Sequence, residues 1–337
     1  MMARFHSVSK HWWMRGLKEE TKIVSDDKGS AVEKFKKRLR WEDNEMWFDH
    51  SGVGVLFYAV TSNEGNVVKE LLQELNREFA GKEYSRRLES RLCDKGYITL
   101  GIPGGSTTLM AAMMCASPEV VSMLLESGAN IERLDVMGND AFMFAAMFGR
   151  TKNLKYWLES FKDWDLDRKN TVAGGCALSI AVYMGANKLE TVKLLLNAGA
   201  SLEYRSFLGS SVLTNAVDNE DSDPDVVRVI LENMKSSIVN YKVKAVSLKW
   251  KVIYFASKVL YRTRMSNSSM MHAIAMWSGA SALSLAVGRG DVEIVKILLE
   301  SGADPYNIEN DLGMNAFDIC DKYGPFPSVK KVMLKKS

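Results

Sequence analysis

Apolar residues in this chain recur at helical spacing in short bursts, neither as long unbroken runs nor in the strict alternation of a half-buried strand. Three bursts close on nearly the same phrase, VVSMLLESGAN, TVKLLLNAGAS and IVKILLESGAD, ending at Ser127-Gly128-Ala129-Asn130, Ala198-Gly199-Ala200-Ser201 and Ser301-Gly302-Ala303-Asp304. Apolar positions at i, i+3 and i+4 make a one-sided helix stripe. The glycine after the stripe supplies the left-handed residue that ends a helix. Each phrase therefore predicts a capped amphipathic helix. Shorter segments upstream, TTLMAAMM, DAFMFAAMF, CALSIAVYM and SALSLAVGR, predict a second helix. Their alanines Ala112, Ala145, Ala181 and Ala286 let neighbours approach closely. Gly149, Gly185 and Gly290 punctuate the turn inside each pair, and Gly138, Gly209 and Gly313 the turn before it.

From Gly105 to Gly138 and onward the spacing is 33 to 36 residues, a period that belongs to stacked repeats. With these phrases the chain resembles the ankyrin repeat family, whose unit reads roughly G-x-T-P-L-H-x-A-A-x-x-G, then V-x-x-L-L-x-x-G-A-D. The fullest match is SGASALSLAVGRGDVEIVKILLESGADP, Ser278 to Pro305. Further units begin near Gly52, Gly105, Gly138, Gly174 and Gly209, with a last one at Gly313, about seven in all. The resemblance implies an all-α ankyrin-repeat solenoid of stacked helix-turn-helix units, with a helical insertion and an N-terminal helical cap. The family's Thr-Pro-Leu-His start is degraded, to Thr107-Thr108-Leu109-Met110, Cys176-Ala177-Leu178-Ser179 and Asn315-Ala316-Phe317-Asp318. In the family, that threonine and histidine bond within and between repeats, so apolar packing is expected to carry more of the stability here.

Three regions fall outside the period. Residues 1–48 form an N-terminal cap or tail, in which Val32, Phe35 and Leu39 share one face of AVEKFKKRLRW, and Lys34, Lys36, Lys37, Arg38 and Arg40 lie off it. Repeats one to five occupy 49–234, interrupted by an insertion at 73–103, and repeats six and seven with the C-terminal cap occupy 278–337. Between them, 235–277 changes the charge picture. There is no acidic residue between Glu232 and Asp291, whereas the segment carries eight Lys and Arg against a net +3 for the whole chain. In YKVKAVSLKWKVIYFASKVLYR, Lys244, Lys251, Lys258 and Arg262 form a basic stripe opposite Leu248, Val252, Phe255 and Val259, with Lys249 and Arg264 adding charge. The expected element is a basic amphipathic helix. Either its apolar face packs on the repeats and the lysines are solvated, or the stripe meets an acidic partner, an anionic membrane surface or nucleic-acid phosphates. Nucleic acid is the least expected, because no zinc-finger, homeodomain or RRM signature accompanies it.

Candidate chemistry is sparse. The four histidines, His6, His11, His50 and His272, form no catalytic or metal-binding motif. Cys93, Cys115, Cys176 and Cys320 have no metal-ligand spacing and read as reduced thiols. Gly101, Gly104 and Gly105 lack a following G-K-[ST], and Asp218 to Asp225 lacks the glycine and glutamate of an EF-hand, so Asp223 and Pro224 read as a helix start. No enzyme activity, cofactor, metal or small-molecule substrate is expected. No signal peptide or membrane-spanning stretch is evident, and an intracellular place, cytoplasmic or nuclear, is expected. Met110, Met113, Met114, Met123, Met137, Met143 and Met147 cluster in two neighbouring repeats, either filling a core or lining an adaptable surface. Ankyrin proteins bind through turn tips and exposed positions of the first helix. The resemblance implies partner contacts at Val136, Met137, Asn139, Met147, Phe148, Tyr183, Met184, Phe207, Leu208, Asp218, Asn219, Arg289 and Asp311. The implied function is a protein or peptide binding scaffold. A peripheral adaptor using the basic insertion at 235–264 is the alternative.

Overall fold

A computed structural model describes residues 30–38, 54–89, 104–219, 221–265 and 268–335. Among these residues the chain is helical and has no β-strand. It divides after Trp164 into two compact units, taken separately below.

In the first unit, helix α1 (Ala31–Arg38) is followed by the pair α2 (Val55–Thr61) and α3 (Gly65–Glu78), and then by α4 (Gly81–Leu88). Two more pairs follow among the described residues, α5 (Thr108–Cys115) with α6 (Pro118–Glu126), and α7 (Ala141–Met147) with α8 (Thr151–Ser160). First helices stack on first helices, α2 on α5 on α7, and second helices likewise, α3 on α6 on α8. Neither kind hides its apolar side alone, and the stack buries Leu71, Leu75, Leu109, Met113, Leu124, Phe144 and Leu154. Trp157 is buried at its end, its ring 4.8 Å from Phe161 and 5.0 Å from Trp164. Helix α1 closes the other end on α3 with Val32 and Phe35 buried; Leu39 and Arg40 lie outside the described residues.

The second unit holds four pairs: α9 (Ala177–Met184) with α10 (Lys188–Asn197), α11 (Val212–Val217) with α12 (Pro224–Asn233), α15 (Ala282–Arg289) with α16 (Val292–Glu300), and α17 (Ala316–Tyr323) with α18 (Pro327–Leu334). Between α12 and α15 lie α13 (Leu248–Thr263) and α14 (Ser269–Trp277), packed on each other as a hairpin. The stack nonetheless runs α9, α11, α15, α17, because α11 packs directly on α15.

Turn hydrogen bonds show how the hairpin is accommodated. In ordinary repeats the turn closes on itself, as in Asp135 N–H to Asn139 O at 3.0 Å, Ser206 N–H to Ser210 O at 3.1 Å and Asn310 N–H to Met314 O at 2.9 Å. The same closure here joins Val243 N–H to Ala280 O at 2.9 Å, with Gly279 in the positive-φ place of Gly138, Gly209 and Gly313. Residues 244–278 are thus an expansion of one turn tip, and the repeat around them is intact.

Five of the seven first helices among the described residues start on a polar side chain where the family has threonine; α2 and α9 start instead on Gly54 and Cys176 without a side-chain cap. Thr107, Asp140, Ser211, Ser281 and Asn315 all accept from backbone N–H groups of the first turn, and Thr214, Ser284 and Asp318 accept in return from Ser211, Ser281 and Asn315 N–H. The start phrase is degraded in its Pro and His while its cap survives. Bonds between repeats survive too, from other residues. Asn153 Nδ2 reaches the carbonyls of Ala112, Met113 and Ala116 at 3.0 to 3.3 Å, and Arg150 donates to Cys115 O at 3.1 Å and Ala116 O at 2.9 Å. These carbonyls lie at the end of α5, where a helix runs out of backbone donors of its own; Ala112 O accepts from Ala116 N–H as well. Apolar packing is therefore not left to work alone, contrary to the expectation from the lost histidine.

Candidate functional site

The turn from Asp135 to Asn139 is rigid for a local reason. The Asp135 carboxylate accepts from Met137 N–H at 2.8 Å, Asn139 N–H at 2.7 Å and Asn139 Nδ2 at 3.0 Å. Burial pushes the Asp135 pKa up despite these bonds, which pull the other way. Asn139 is itself buried, so it holds the turn and does not lie on the surface expected for it. The bonded turn leaves Val136 47% and Met137 36% exposed at its tip. On the same repeat, Met147 and Phe148 end α7 half-buried, with Phe148 stacked on Phe144 at 6.4 Å. The methionines divide accordingly. Met110, Met113, Met114 and Met143 fill the core, Met123 and Met147 are half-buried, and Met137 is exposed.

In the second unit several expected contact positions are already engaged. Tyr183 is half-buried and Met184 exposed at the end of α9. Asn219 Nδ2 donates to Tyr183 O, while Arg289 donates to Val217 O at 3.0 Å and to Asn219 O. Both side chains thus cap the helix end of the preceding repeat, as Arg150 does in the first unit. Phe207 lies over Gly174, where a Cβ would stand 2.8 Å from its ring. Its carbonyl accepts from Val246 N–H at 3.1 Å, and the Leu208 carbonyl accepts from the Tyr254 hydroxyl at 3.1 Å.

The inserted hairpin makes the remaining contacts. Trp277 Nε1 donates to Asp218 Oδ1 at 3.0 Å; burial raises the Asp218 pKa to about 6, against the lowering effect of that bond and of Arg289. Lys258 lies 2.8 Å from Asp311 Oδ2, the Ser278 hydroxyl donates to the same oxygen at 2.6 Å, and Arg262 donates to Asp311 O at 3.1 Å. Burial opposes ionisation of Asp311, but the bonds from Lys258 and Ser278 and the charges of Lys258 and Lys242 outweigh it and hold its pKa below the usual value. Lys322 donates to the Tyr261 hydroxyl. Within this unit Asp218, Asp311, Phe207 and Leu208 therefore meet the hairpin rather than an open surface.

The hairpin is oriented opposite to the packing expected of its stripes. Tyr254 and Ser257 are the buried residues of α13, whereas Leu248, Val252, Phe255 and Val259 face solvent, 77%, 59%, 68% and 41% exposed. Lys258 is tied down, while Lys244, Lys249, Lys251, Arg262 and Arg264 are exposed. Hydrogen bonds from Tyr254, Trp277, Lys258 and Arg262 are directional and hold the polar side inward. A periodic apolar stripe carries no such directional preference.

Elsewhere the chemistry is quiet. Burial pushes the Cys115 thiol up to about 12 and the Cys176 thiol upward, so both stay protonated at neutral pH. His272 sets its ring against Tyr261, 5.3 Å between centroids. His6, His11, His50, Cys93 and Gly101 lie outside the described residues. Asp223 Oδ1 accepts from Asp225 N–H at 2.9 Å and caps α12, with Pro224 in its first turn. Among the described residues no group of three or more His, Cys, Asp or Glu side chains gathers as a metal site, and no helix is long and apolar enough to cross a membrane.

Comparison with known proteins agrees with this geometry. A family model described as ankyrin repeats (3 copies) matches residues 56–170, and one described as ankyrin repeat matches 278–311. Both stretches of the chain carry ankyrin repeats. Among relatives of this ankyrin-repeat chain, the B-cell lymphoma 3 protein homolog of Mus musculus is 28% identical over 209 residues, 61% of this chain and 38% of that protein. The nuclear factor NF-kappa-B p105 subunit of Gallus gallus is 27% identical over 207 residues, 60% of this chain and 17% of that one. The chain thus spans well under half the length of either. Among solved structures, the ankyrin repeat domain of Bcl-3, described as a unique member of the IkappaB protein family, aligns with a TM-score of 0.55 at 23% identity, over 83% of this chain and 100% of that domain. The ankyrin repeat domain of human ASB11 also aligns at 0.55, with 16% identity, 84% of this chain and 98% of that one. These structures share the fold.

Proposed function

We propose that this ankyrin-repeat chain is a non-enzymatic scaffold that grips a partner polypeptide at its turn tips and the ends of its first helices. The reading rests on one observation: Val136 and Met137 are apolar and exposed on a turn that Asp135 and Asn139 hold rigid. A preorganised apolar tip loses little freedom on binding, and a desolvated apolar contact is the usual centre of a protein interface. Met184, exposed at the end of α9, offers a second point of the same kind in the second unit. The relatives lend support, since the p105 protein is by its name a subunit and so works inside an assembly.

The test uses the intact chain and a variant carrying Val136→Glu and Met137→Glu, both at exposed positions that leave the core untouched. Affinity capture from cell extract with quantitative mass spectrometry should recover at least one protein with the native chain and lose most of it with the variant. Identical capture profiles from two equally folded chains would refute the reading.

A further inference from the structure

Leu248, Val252, Phe255 and Val259 follow one another at intervals of four, three and four residues along α13. That is the heptad spacing of a helix-pairing seam, narrower than the broad stripe by which a helix beds on a protein core. The ridge runs for roughly 17 Å at 1.5 Å per residue. The hairpin does not need it for its own placement, because α13 is held on the repeats from its other side through Tyr254, Lys258 and Arg262. Exposed apolar residues aligned on one helix face are uncommon without a partner.

The flanks of the seam say what kind of partner. With Val252 and Val259 in the first core position of each heptad and Leu248 and Phe255 in the second, Lys249 and Lys251 take the flanking positions that face a partner helix. Both are exposed, and among the described residues neither is in an ion pair; the nearby Lys258 is spent on Asp311. No acidic side chain occurs between Glu232 and Asp291 to neutralise them. Phosphates of a nucleic acid would use the lysines and leave the ridge wet. A bilayer would favour a broader apolar face with Trp at its margin, whereas Trp250 is half-buried off the ridge.

We propose that the outward face of α13 is a docking seam for an acidic amphipathic helix of another protein, pairing ridge to ridge with Asp or Glu opposite Lys249 and Lys251. The seam is separate from the turn tips on which the scaffold reading rests, so either can fail alone.

The probe is a synthetic, fluorescein-labelled helical peptide of roughly three heptads, with Leu and Val in its core positions and Glu in all flanking positions. A second peptide carries Lys in place of every Glu. Fluorescence anisotropy with the full chain should show saturable binding of the acidic peptide, at least about tenfold tighter than the basic one and weakened by salt. Phe255→Asp should weaken it by at least about tenfold, since a central apolar anchor becomes charged. Lys249→Glu with Lys251→Glu should invert the preference between the two peptides. Circular dichroism melts guard against misfolding, and the charge-reversal variant keeps the test decisive should Phe255→Asp unfold the chain. Equal binding of both peptides, no binding of either, or binding indifferent to these substitutions would overturn the proposal. So would a Phe255-dependent dimer in sedimentation, or flotation on vesicles about one third anionic lipid that Phe255→Asp abolishes.

Discussion

Asp218 accepts from the Trp277 indole in a setting that burial makes unfavourable for charge, so its carboxyl ionises near pH 6 in the fold against about 3.8 for a free aspartate. Between those values the folded chain holds a proton that the unfolded chain has released. Stability from this group therefore falls as pH rises through that interval, and the loss is complete above about pH 6. Asp218→Asn keeps an acceptor for Trp277 and removes the charge. Its Tm is expected to exceed the parent's at about pH 7.5, with the gap narrowing towards pH 4; equal Tm values across the range would mean that Asp218 titrates as an ordinary surface carboxyl. Asn153 offers a different test. Its amide serves three carbonyls at the end of α5; Asn153→Leu leaves Ala112 O to Ala116 N–H and Ala116 O to Arg150 but takes the side-chain donor from Met113 O, and should cost about 1–3 kcal/mol in urea unfolding, with an unchanged m-value.

At the scale of elements, the expanded turn tip makes a clear demand. Val243 and Ala280 already close the repeat as Ser206 and Ser210 do in the one before it. Replacing residues 244–278 with the two tip residues Phe-Leu, and keeping Gly279, should therefore give a folded chain with less helix by circular dichroism and a cooperative melt; loss of the melt would show that α13 and α14 are part of the core. The helix pairs were legible in the sequence, because the GA-ending phrases, the alanine-rich segments and a period of 33 to 36 residues coincide. The hairpin's orientation was not. Periodicity reveals that α13 has an apolar side, but the side facing the repeats is fixed by Tyr254 reaching the Leu208 carbonyl and Lys258 reaching Asp311, pairings across long sequence separations that no local pattern announces. The caps were in plain view as Thr107, Ser211, Ser281 and Asn315, obscured only by comparison with a fuller family phrase. Among the candidate residues, the exposure of Val136, Met137 and Met184 follows from repeat position, whereas the inward engagement of Asn139, Asn219 and Arg289 depends on partners that register alone does not supply.

At the scale of the whole molecule, stability in stacked repeats is a sum of local terms with nearest-neighbour coupling, so damage should stay near its source. Trp157→Ala removes the largest fully buried side chain among the described residues of the first unit and the centre of its aromatic cluster, an expected cost of about 3–5 kcal/mol. Hydrogen exchange should accelerate most in α5 to α8 and least in α15 to α18; uniform acceleration would indicate one cooperative block. The turn closed by Val243 and Ala280 has a practical corollary. Val243 N–H reaches Ala280 O and Gly279 N–H reaches Val243 O, both at 2.9 Å, so the chain leaves and re-enters the repeat at neighbouring points. An independently folding domain whose own termini lie close together can be grafted there as a passenger, displayed on a repeat whose closing bonds stay in place.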